Sequence, residues 1–329
     1  MVGKDKKLSL LYILDILKKY TDENHSLTYS EIDLKLNEEY GIKLDNKTIA
    51  KYINLLIEYG IDIRKKGNNG CAILSRDFDN SALSFLIDAV FSSKSISSQH
   101  AQYLIQTLLK DSSIYERKRY TYIFKADEIV RTNNKEIFYT IDTIARAIEE
   151  NHQISFTYNE VLINKKQTTR FNGKRYIINP YFLVNNRGKY YLVCNYDKYN
   201  SLSNYKVECI SNIKILDSKI KPLQLLDDVE SFDISKYVNE HIYMFSGKTI
   251  QTTMKLNNIK ILNDVADWFG ENIIIKEKDE EIYVTLSVNE QAFLYWAMQY
   301  GQSIEVIKPN STREKYIEMV EKILKKYKG

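Results

Sequence analysis

Apolar residues recur every three to four positions over three short stretches near the start of the chain, the period of amphipathic helices. Leu8, Leu11, Tyr12, Ile13, Ile16 and Leu17 share one face of a helix ending at Tyr20, with Lys18 and Lys19 in its last turn, where cations suit the helix dipole. A second helix is predicted over Tyr29–Tyr40, with Ser30 or Thr28 available as its cap and Gly41 as its stop. The third starts at Asp45 or Asn46, carries Ile49, Tyr52, Ile53, Leu56 and Ile57 as one apolar stripe, and stops at Gly60. The run IDIRKKGNNGCAILS then alternates into a turn at Gly67-Asn68-Asn69-Gly70 and out again, the pattern of a small hairpin. Three short helices followed by a hairpin is the order of a winged helix-turn-helix.

Two further amphipathic stretches, SALSFLIDAVFSS and SSQHAQYLIQTLLKD, lie within residues 80–115 around a serine-rich SSKSISS. They are expected to connect domains and to pair with a second copy. Beyond them, Glu116-Arg117-Lys118-Arg119 reads as a solvated patch at a helix end or in a loop. A helix over Phe138–Glu150 places Ile141, Ile144, Ala145 and Ile148 on one face. Short tyrosine-rich β runs follow at 153–160, 174–186, 188–197 and 203–216, with turns at Asn172-Gly173, 185–188 and 198–201. Such strands fold most economically as a small barrel. After Phe232 the pattern is strand 249–256, helix 259–269, strands 272–276 and 281–288, helix 290–300, strand 303–307 and helix 312–327. That βαββαβ order is ferredoxin-like, so the expected fold class is an α+β multidomain chain.

At 329 residues, 44% hydrophobic and 27% charged, with 11 Gly and 3 Pro, the chain has the balance of two or three folded domains. Disordered, collagenous and low-complexity classes are excluded. No apolar run reaches the roughly 18–20 residues of a membrane span, and the opening MVGKDKKLSL lacks a signal-type stretch, so a soluble, cytoplasmic protein is expected. Cys71, Cys194 and Cys209 are scattered, which fits neither a disulfide framework nor a zinc cluster and predicts small buried side chains.

The net charge of +4 is unevenly spread: +2 over 1–76, −2 over 77–154, +8 over 155–221 and −4 over 222–329. Positive charge concentrated in the tyrosine-rich segment suggests an anionic partner there. Lys165, Lys166, Arg170, Lys174, Arg175, Arg187, Lys189, Lys198 and Lys206 interleave with the tyrosines. Aromatic faces stack bases while cations hold phosphates, so this suits a single-stranded nucleic acid, a nucleotide or another anion.

If the third helix enters a major groove, Asn46, Lys47, Thr48 and Lys51 are the donors near its start. Asn reads adenine bidentately, Lys meets guanine or phosphate, and the helix N-terminus can sit against a phosphate. Arg64, Lys65 and Lys66 on the hairpin would track the DNA backbone. A charge of only +2 makes a homodimer with two half-sites the expected binding form. The four histidines are far apart, and G-x-S-x-G, Walker-type and G-x-G-x-x-G motifs are absent, so neither an enzyme, a cofactor nor a metal is expected.

The run at 18–63, with TDENH, YGI, then K-T-I and L-x-x-x-G, resembles the N-terminal domain of the WYL-domain transcriptional regulators. Asn46 stands where such proteins usually carry Arg. Asn179-Pro180-Tyr181-Phe182-Leu183, Gly188-Lys189-Tyr190-Tyr191-Leu192-Val193 and Tyr205-Lys206-Val207-Glu208-Cys209-Ile210 resemble the WYL domain in order and spacing. Tyr190-Tyr191-Leu192 occupies the three naming letters with Tyr for Trp. Lys206 and Cys209 replace two commonly found arginines, and Ser203 stands where His or Arg is frequent. YVNEHIYMFSGK, DVADWFG and LYWAMQYG resemble the extension that follows such domains, implying oligomer contacts or a lid.

The resemblance implies an Sm/SH3-like barrel that senses a ligand, often a nucleic acid, and signals to the DNA-binding domain. Its candidate ligand contacts are Tyr158, Arg170, Arg175, Tyr181, Tyr191, Ser203, Tyr205 and Lys206, with Lys206 unable to hold phosphate bidentately as Arg does. The expected organisation is a DNA-binding domain at 1–76, a helical linker at 77–135, a sensing domain at 136–221 and an extension at 222–329. Two readings stand: a ligand-responsive regulator on a double-stranded operator, or a nucleic-acid-sensing accessory protein whose helix-turn-helix mainly makes protein contacts.

Overall fold

The computed structural model describes residues 8–67, 70–120, 134–161, 167–226, 232–270 and 273–328. Asn68, Asn69, Lys165, Lys166, the Lys66 side chain and residues 121–133 of the expected linker lie outside the described residues. The chain forms two compact units, Met1–Asn133 and Asn134–Gly329. Each mixes helices with antiparallel sheet.

In the first unit, α1 (Ser9–Tyr20), α2 (Tyr29–Tyr40) and α3 (Asn46–Tyr59) are cut by local signals. Thr28 forms a reciprocal capping box with Glu31, so of the two candidate caps the threonine is used. Gly41 and Gly60 end α2 and α3 in the left-handed region that a Cβ disfavours. Ile13, Ile16 and Leu17 of α1, Ile32 and Leu36 of α2, and Ile49, Ile53 and Leu56 of α3 form the core. Each such residue stabilises the unit by roughly 1.5–3 kcal/mol of apolar burial. The α3 stripe is narrower than its periodicity suggested, because Ile57 turns out of the core and is 38% exposed. A small antiparallel sheet of β1 (Leu27–Thr28), β2 (Ile63–Lys66) and β3 (Gly70–Ile73), in the order β1-β3-β2, closes the core through Ile63, Cys71 and Ile73.

Next, α4 (Asn80–Ser92) and α5 (Ser98–Leu108) pack through Leu83, Ile87, Ile105 and Leu109, with Tyr120. The Glu116–Arg119 cluster is only in part a solvated helix-end patch: Lys118 and Arg119 are exposed past the end of the short α6 (Ile114–Arg117), but Glu116 is 7% exposed and forms a capping box with Ser113. Its carboxylate lies 3.4 Å from Arg76 Nε. The same guanidinium donates to Lys18 O at 3.0 Å and Thr21 O at 2.7 Å, and also to Asp111 O. It therefore stands at the negative end of α1, where a cation is favourable. The Ser113 hydroxyl donates to Asp22 Oδ2 at 2.8 Å, and His25 lies 2.7 Å from Asp22 Oδ1 while stacking on Tyr115 at 3.6 Å. Burial alone would raise the Asp22 carboxyl, but the bonds from His25, Ser113 and the Asn24 N–H outweigh it and hold it below the usual range.

The second unit begins with α7 (Ile137–Glu149), whose buried face is Ile137, Thr140, Thr143, Ile144 and Ala147. Ala145 is exposed, so the helix is rotated from the predicted face of 141, 144, 145 and 148. An antiparallel sheet follows: β4 (His152–Val161), β5 (Gln167–Thr169), β6 (Arg175–Asn186), β7 (Lys189–Asn195), β8 (Leu202–Lys206) and β9 (Ile210–Lys219). Its order is β5-β4-β6-β7-β8, with β9 pairing β4. The predicted single run at 203–216 is two strands, because the 3-10 turn Val207–Cys209 breaks it and sends β9 back to β4. Pro180, which cannot donate to a ladder, sits where the β6–β7 register shifts. Buried Asn179, Asn195 and Gln153 are hydrogen-bonded to one another or to Asp197 and the 199–201 turn.

After α8 (Ile234–Glu240), the elements β10 (Thr249–Leu256), α9 (Leu262–Phe269), β11 (Ile274–Lys278), β12 (Glu281–Asn289), α10 (Glu290–Gln299), β13 (Ile304–Lys308) and α11 (Asn310–Lys328) follow in the predicted order. Their antiparallel sheet runs β11-β12-β10-β13. Trp296 and Phe293 of α10 and Val265 and Phe269 of α9 pack with Met254, Val284 and Leu286 of the strands.

Candidate nucleic-acid interface and ligand site

The solvent side of α3 carries Lys47, Lys51, Asn54 and Glu58, at i, i+4, i+7 and i+11, around a shallow depression of about 500 Å³ that also includes Ala50 and Leu55. Asn46, Lys47 and Lys51 are exposed, as a groove-reading face requires. Lys65 of β2 reaches the same face, its Nζ donating to Asn54 Oδ1 at 2.6 Å. Arg64 points elsewhere along the alternating strand, and its guanidinium donates to Glu23 O at 2.6 Å. Asn54 lies beyond the first turn of the helix, to which the sequence-based donors belong; its heptad spacing from Lys47 is the signal the sequence carries.

The start of α3 is not an open phosphate site. Asp45 Oδ1 accepts from Lys47 N at 2.9 Å and Thr48 N at 3.0 Å, and Oδ2 accepts the Thr48 hydroxyl at 2.7 Å. The Thr48 hydroxyl and N–H hold this carboxyl below its usual range, so it is ionised at neutral pH and occupies the donors a phosphate would use. Thr48 serves as part of the cap.

In the second unit the eight candidate ligand contacts do not converge on one point. Strand alternation puts Tyr205 and Ser203 on one side of β8, and Lys206 on the other. Tyr205 joins Tyr158 at 5.2 Å, Phe156 at 5.3 Å and Tyr176 at 5.6 Å between ring centroids, with Tyr196 at 6.2 Å from Tyr176. Burial raises the Tyr158 and Tyr205 phenols and pushes Tyr196 up to about 12, so all three remain protonated donors at neutral pH. The buried Tyr176 hydroxyl has no hydrogen-bond partner among the described residues. Phe156, Tyr176 and Tyr196 were absent from the sequence-based set; their positions in inward register with Tyr158 and Tyr205 become visible only once the strands are paired.

Tyr191 pairs across the ladder with Lys206 and packs with Val193 and Met244, on the side away from Tyr205. Tyr181 donates to Lys221 O at 2.7 Å and lines a cavity of about 410 Å³ with Pro180, Phe182, Ile220 and Leu223. Several cations of the +8 segment are committed to the fold. Arg175 donates to Ser155 Oγ at 2.8 Å and Asn212 O at 3.1 Å, and Lys189 lies 2.6 Å from Glu208. Arg187 stacks on Trp268 at 3.6 Å. Arg170, 3.9 Å from Glu160, and Lys206 are exposed.

The model of the WYL domain matches residues 139–215. The chain carries a WYL domain. That span runs from α7 into β9 and contains all eight candidate ligand contacts, so the likeness read from NPYFL, GKYYLV and YKVECI holds. No curated protein matches the chain. Among solved structures it is similar to proteasome accessory factor B/C (PafBC) of Arthrobacter aurescens, at 13% identity and a TM-score of 0.29, over 97% of this chain and 49% of that one. The chain thus spans about half the length of that structure. It is also similar to a CRISPR Cas-related protein, at 15% identity and a TM-score of 0.38, over 100% of this chain and 88% of that one. Among the described residues no group of His, Cys, Asp or Glu is placed to hold a metal ion, and no helix is long and apolar enough to cross a membrane.

Proposed function

We propose that this protein is a ligand-responsive, DNA-binding transcriptional regulator without catalytic activity. The observation that carries the reading is the basic, exposed face of α3, with Lys47, Lys51 and Asn54 joined by Lys65 from the adjacent hairpin. In this reading residues 1–76 are a winged helix-turn-helix and 77–135 a helical linker. The WYL segment, 136–221, is an Sm/SH3-like barrel, and 222–329 a ferredoxin-like extension. α3 enters the major groove, Lys47 and Lys51 meet phosphate or guanine, and Asn54 joins Asn46 as an adenine reader. A homodimer binds an inverted repeat.

The ligand is an anion with a stacking moiety, a nucleotide or single-stranded nucleic acid, received by Tyr158 and Tyr205 with Arg170 at the rim. It acts only to the extent that it binds one dimer arrangement better than the other. A second reading, an accessory sensor whose helix-turn-helix contacts protein, is favoured by Leu55, 39% exposed in the same α3 depression.

The test is recovery of genomic DNA by the full chain at about 150 mM salt, where phosphate contacts alone weaken steeply, with and without added short single-stranded DNA. Enrichment of one palindrome, released or tightened by the single strand, supports the regulator. Retention of the single strand without duplex enrichment supports the accessory sensor.

A further inference from the structure

Side chains of β4 alternate between two faces. Phe156 and Tyr158 turn to the rings around Tyr205, whereas Ser155 and Thr157 turn away from them. On this second face β6 sets Arg175 opposite Thr157 and Ile177 opposite Ser155, and β9 sets Ser211 opposite Thr157 and Lys214 opposite Ser155. The β4–β9 register shifts here, with Asn212 at φ +52°, and a bulge of this kind re-aims side chains. Ser155 and Thr157, 4 and 7% exposed, form a polar floor between the exposed Arg175 and Lys214.

Hydrogen bonds on this face divide into a closed set and an open one. Thr157, Ser211 and Asn212 satisfy one another, with Asn159 accepting from Ser211 at 3.2 Å. Arg175 spends only Nη2, on Ser155 Oγ at 2.8 Å, Asn212 O at 3.1 Å and Ser155 O at 3.4 Å. Its Nε and Nη1, and the proton of the Ser155 hydroxyl, find no acceptor among the described residues. Lys214 likewise has no hydrogen-bond or carboxylate partner among them, unlike Arg170 and Lys189, which stand beside Glu160 and Glu208. Asp197 reaches this face beside Gln153, but it is taken by Gln153 Nε2 at 2.8 Å and Asn179 Nδ2 at 2.7 Å.

Unspent donors gathered around one buried hydroxyl call for an acceptor with several lone pairs and negative charge. A tetrahedral oxyanion meets that need, and a guanidinium edge holds two of its oxygens at once. The donors converge on one place rather than following a track, which fits one phosphate group and not a strand of phosphodiesters. We infer that Arg175, Ser155 and Lys214 form a phosphate site on the face of the WYL sheet turned away from the tyrosine cluster. Its ligand is inorganic phosphate or the phosphomonoester of a small molecule. The site goes beyond the stacking ligand of the preceding reading and does not depend on it.

The test is calorimetric titration of the full chain with inorganic phosphate and with glycerol 3-phosphate at low salt. Wild type is compared with Lys214→Ala, Ser155→Ala and Lys260→Ala. Lys214 is exposed, so its truncation leaves the fold intact, and Lys260, exposed in the extension, reports the bulk effect of losing one charge. The expected result is saturable binding whose dissociation constant rises about tenfold in Lys214→Ala and in Ser155→Ala and is unchanged in Lys260→Ala. Tighter binding of one probe than the other tells free phosphate from a monoester. Absence of saturable binding, an unchanged constant in Lys214→Ala or Ser155→Ala, or an equal loss in Lys260→Ala overturns the inference. A short single-stranded DNA that displaces phosphate and is itself weakened by Lys214→Ala also overturns it, by giving the site to a phosphodiester strand. Equal binding of the single strand by wild type and Lys214→Ala is expected, and keeps the stacking ligand separate whatever phosphate does.

Discussion

Replacing Arg76 with Ala removes the buried guanidinium that joins the carbonyls at the end of α1 to Asp111 and Glu116, and leaves the more exposed Lys18–Asp111 pair, 2.6 Å apart, to hold the two segments. Both Arg76 and Glu116 have side chains only 9% exposed, so neither salt nor water screens the pair strongly. The substitution strands the Glu116 carboxylate beside the Ser113 cap and leaves the carbonyls of Lys18, Thr21 and Asp111 without their charged donor. Breaking a buried ion pair from one side costs about 3–5 kcal/mol, and water entering the vacated volume draws the value toward the lower end.

Both tryptophans, Trp268 and Trp296, belong to the second unit, so their fluorescence does not report this change. Hydrogen exchange read by mass spectrometry does. At about 3 kcal/mol, slow amides of α1 and residues 109–120 should exchange on the order of 150-fold faster, with peptides of 134–329 unchanged. Arg76→Lys keeps the charge but not the planar fork, and should fall between. A loss of protection below about fivefold, roughly 1 kcal/mol, would refute the assignment of Arg76 as the tie.

Three further outcomes are expected. Lys47→Ala and Lys51→Ala should each lower the salt dependence of duplex binding by about one ion, while Asn54→Ala should relax base preference at one position by about 1–3 kcal/mol; gel-shift titrations at several salt concentrations check both. Tyr176→Phe removes a buried hydroxyl with no partner among the described residues, and should leave stability unchanged or raise it by about 1 kcal/mol; a large loss in urea unfolding would mean the hydroxyl is satisfied. Burial holds the His241 imidazole below its usual 6.5, so below that pH the unfolded chain binds a proton that the folded one refuses. Stability of the second unit should be full above pH 6.5 and fall as pH drops through the lowered value, and tryptophan-monitored urea midpoints should show a weaker fall in His241→Gln.

The sequence by itself determined most of the elements and their order, though not β1, β5, α6 or α8, nor the break between β8 and β9. Thr28 with Glu31, Gly41 and Gly60 mark helix ends through bonds and dihedrals that span only a few residues, so they are readable from composition at fixed offsets. The same holds for the alternation and periodicity of 249–308, and the three WYL motifs stood out because they combine local turns with short strands. What only the tertiary structure decided are relations between distant segments. Arg76 and Glu116 are forty residues apart, and nothing local to either predicts their pairing. Lys65 of the hairpin joins the α3 face through Asn54.

The ligand residues show the limit most clearly. In β7 both faces carry apolar or aromatic residues and in β8 both faces mix apolar or aromatic with polar ones, so alternation alone could not say which face turns inward. Pairing Leu192 with Tyr205 and Tyr191 with Lys206 fixed it. One step of register sends neighbouring side chains to opposite sides of a sheet, and so Tyr205 entered the aromatic cluster with Tyr158, Tyr176 and Tyr196 while Tyr191 packed on the far face with Met244.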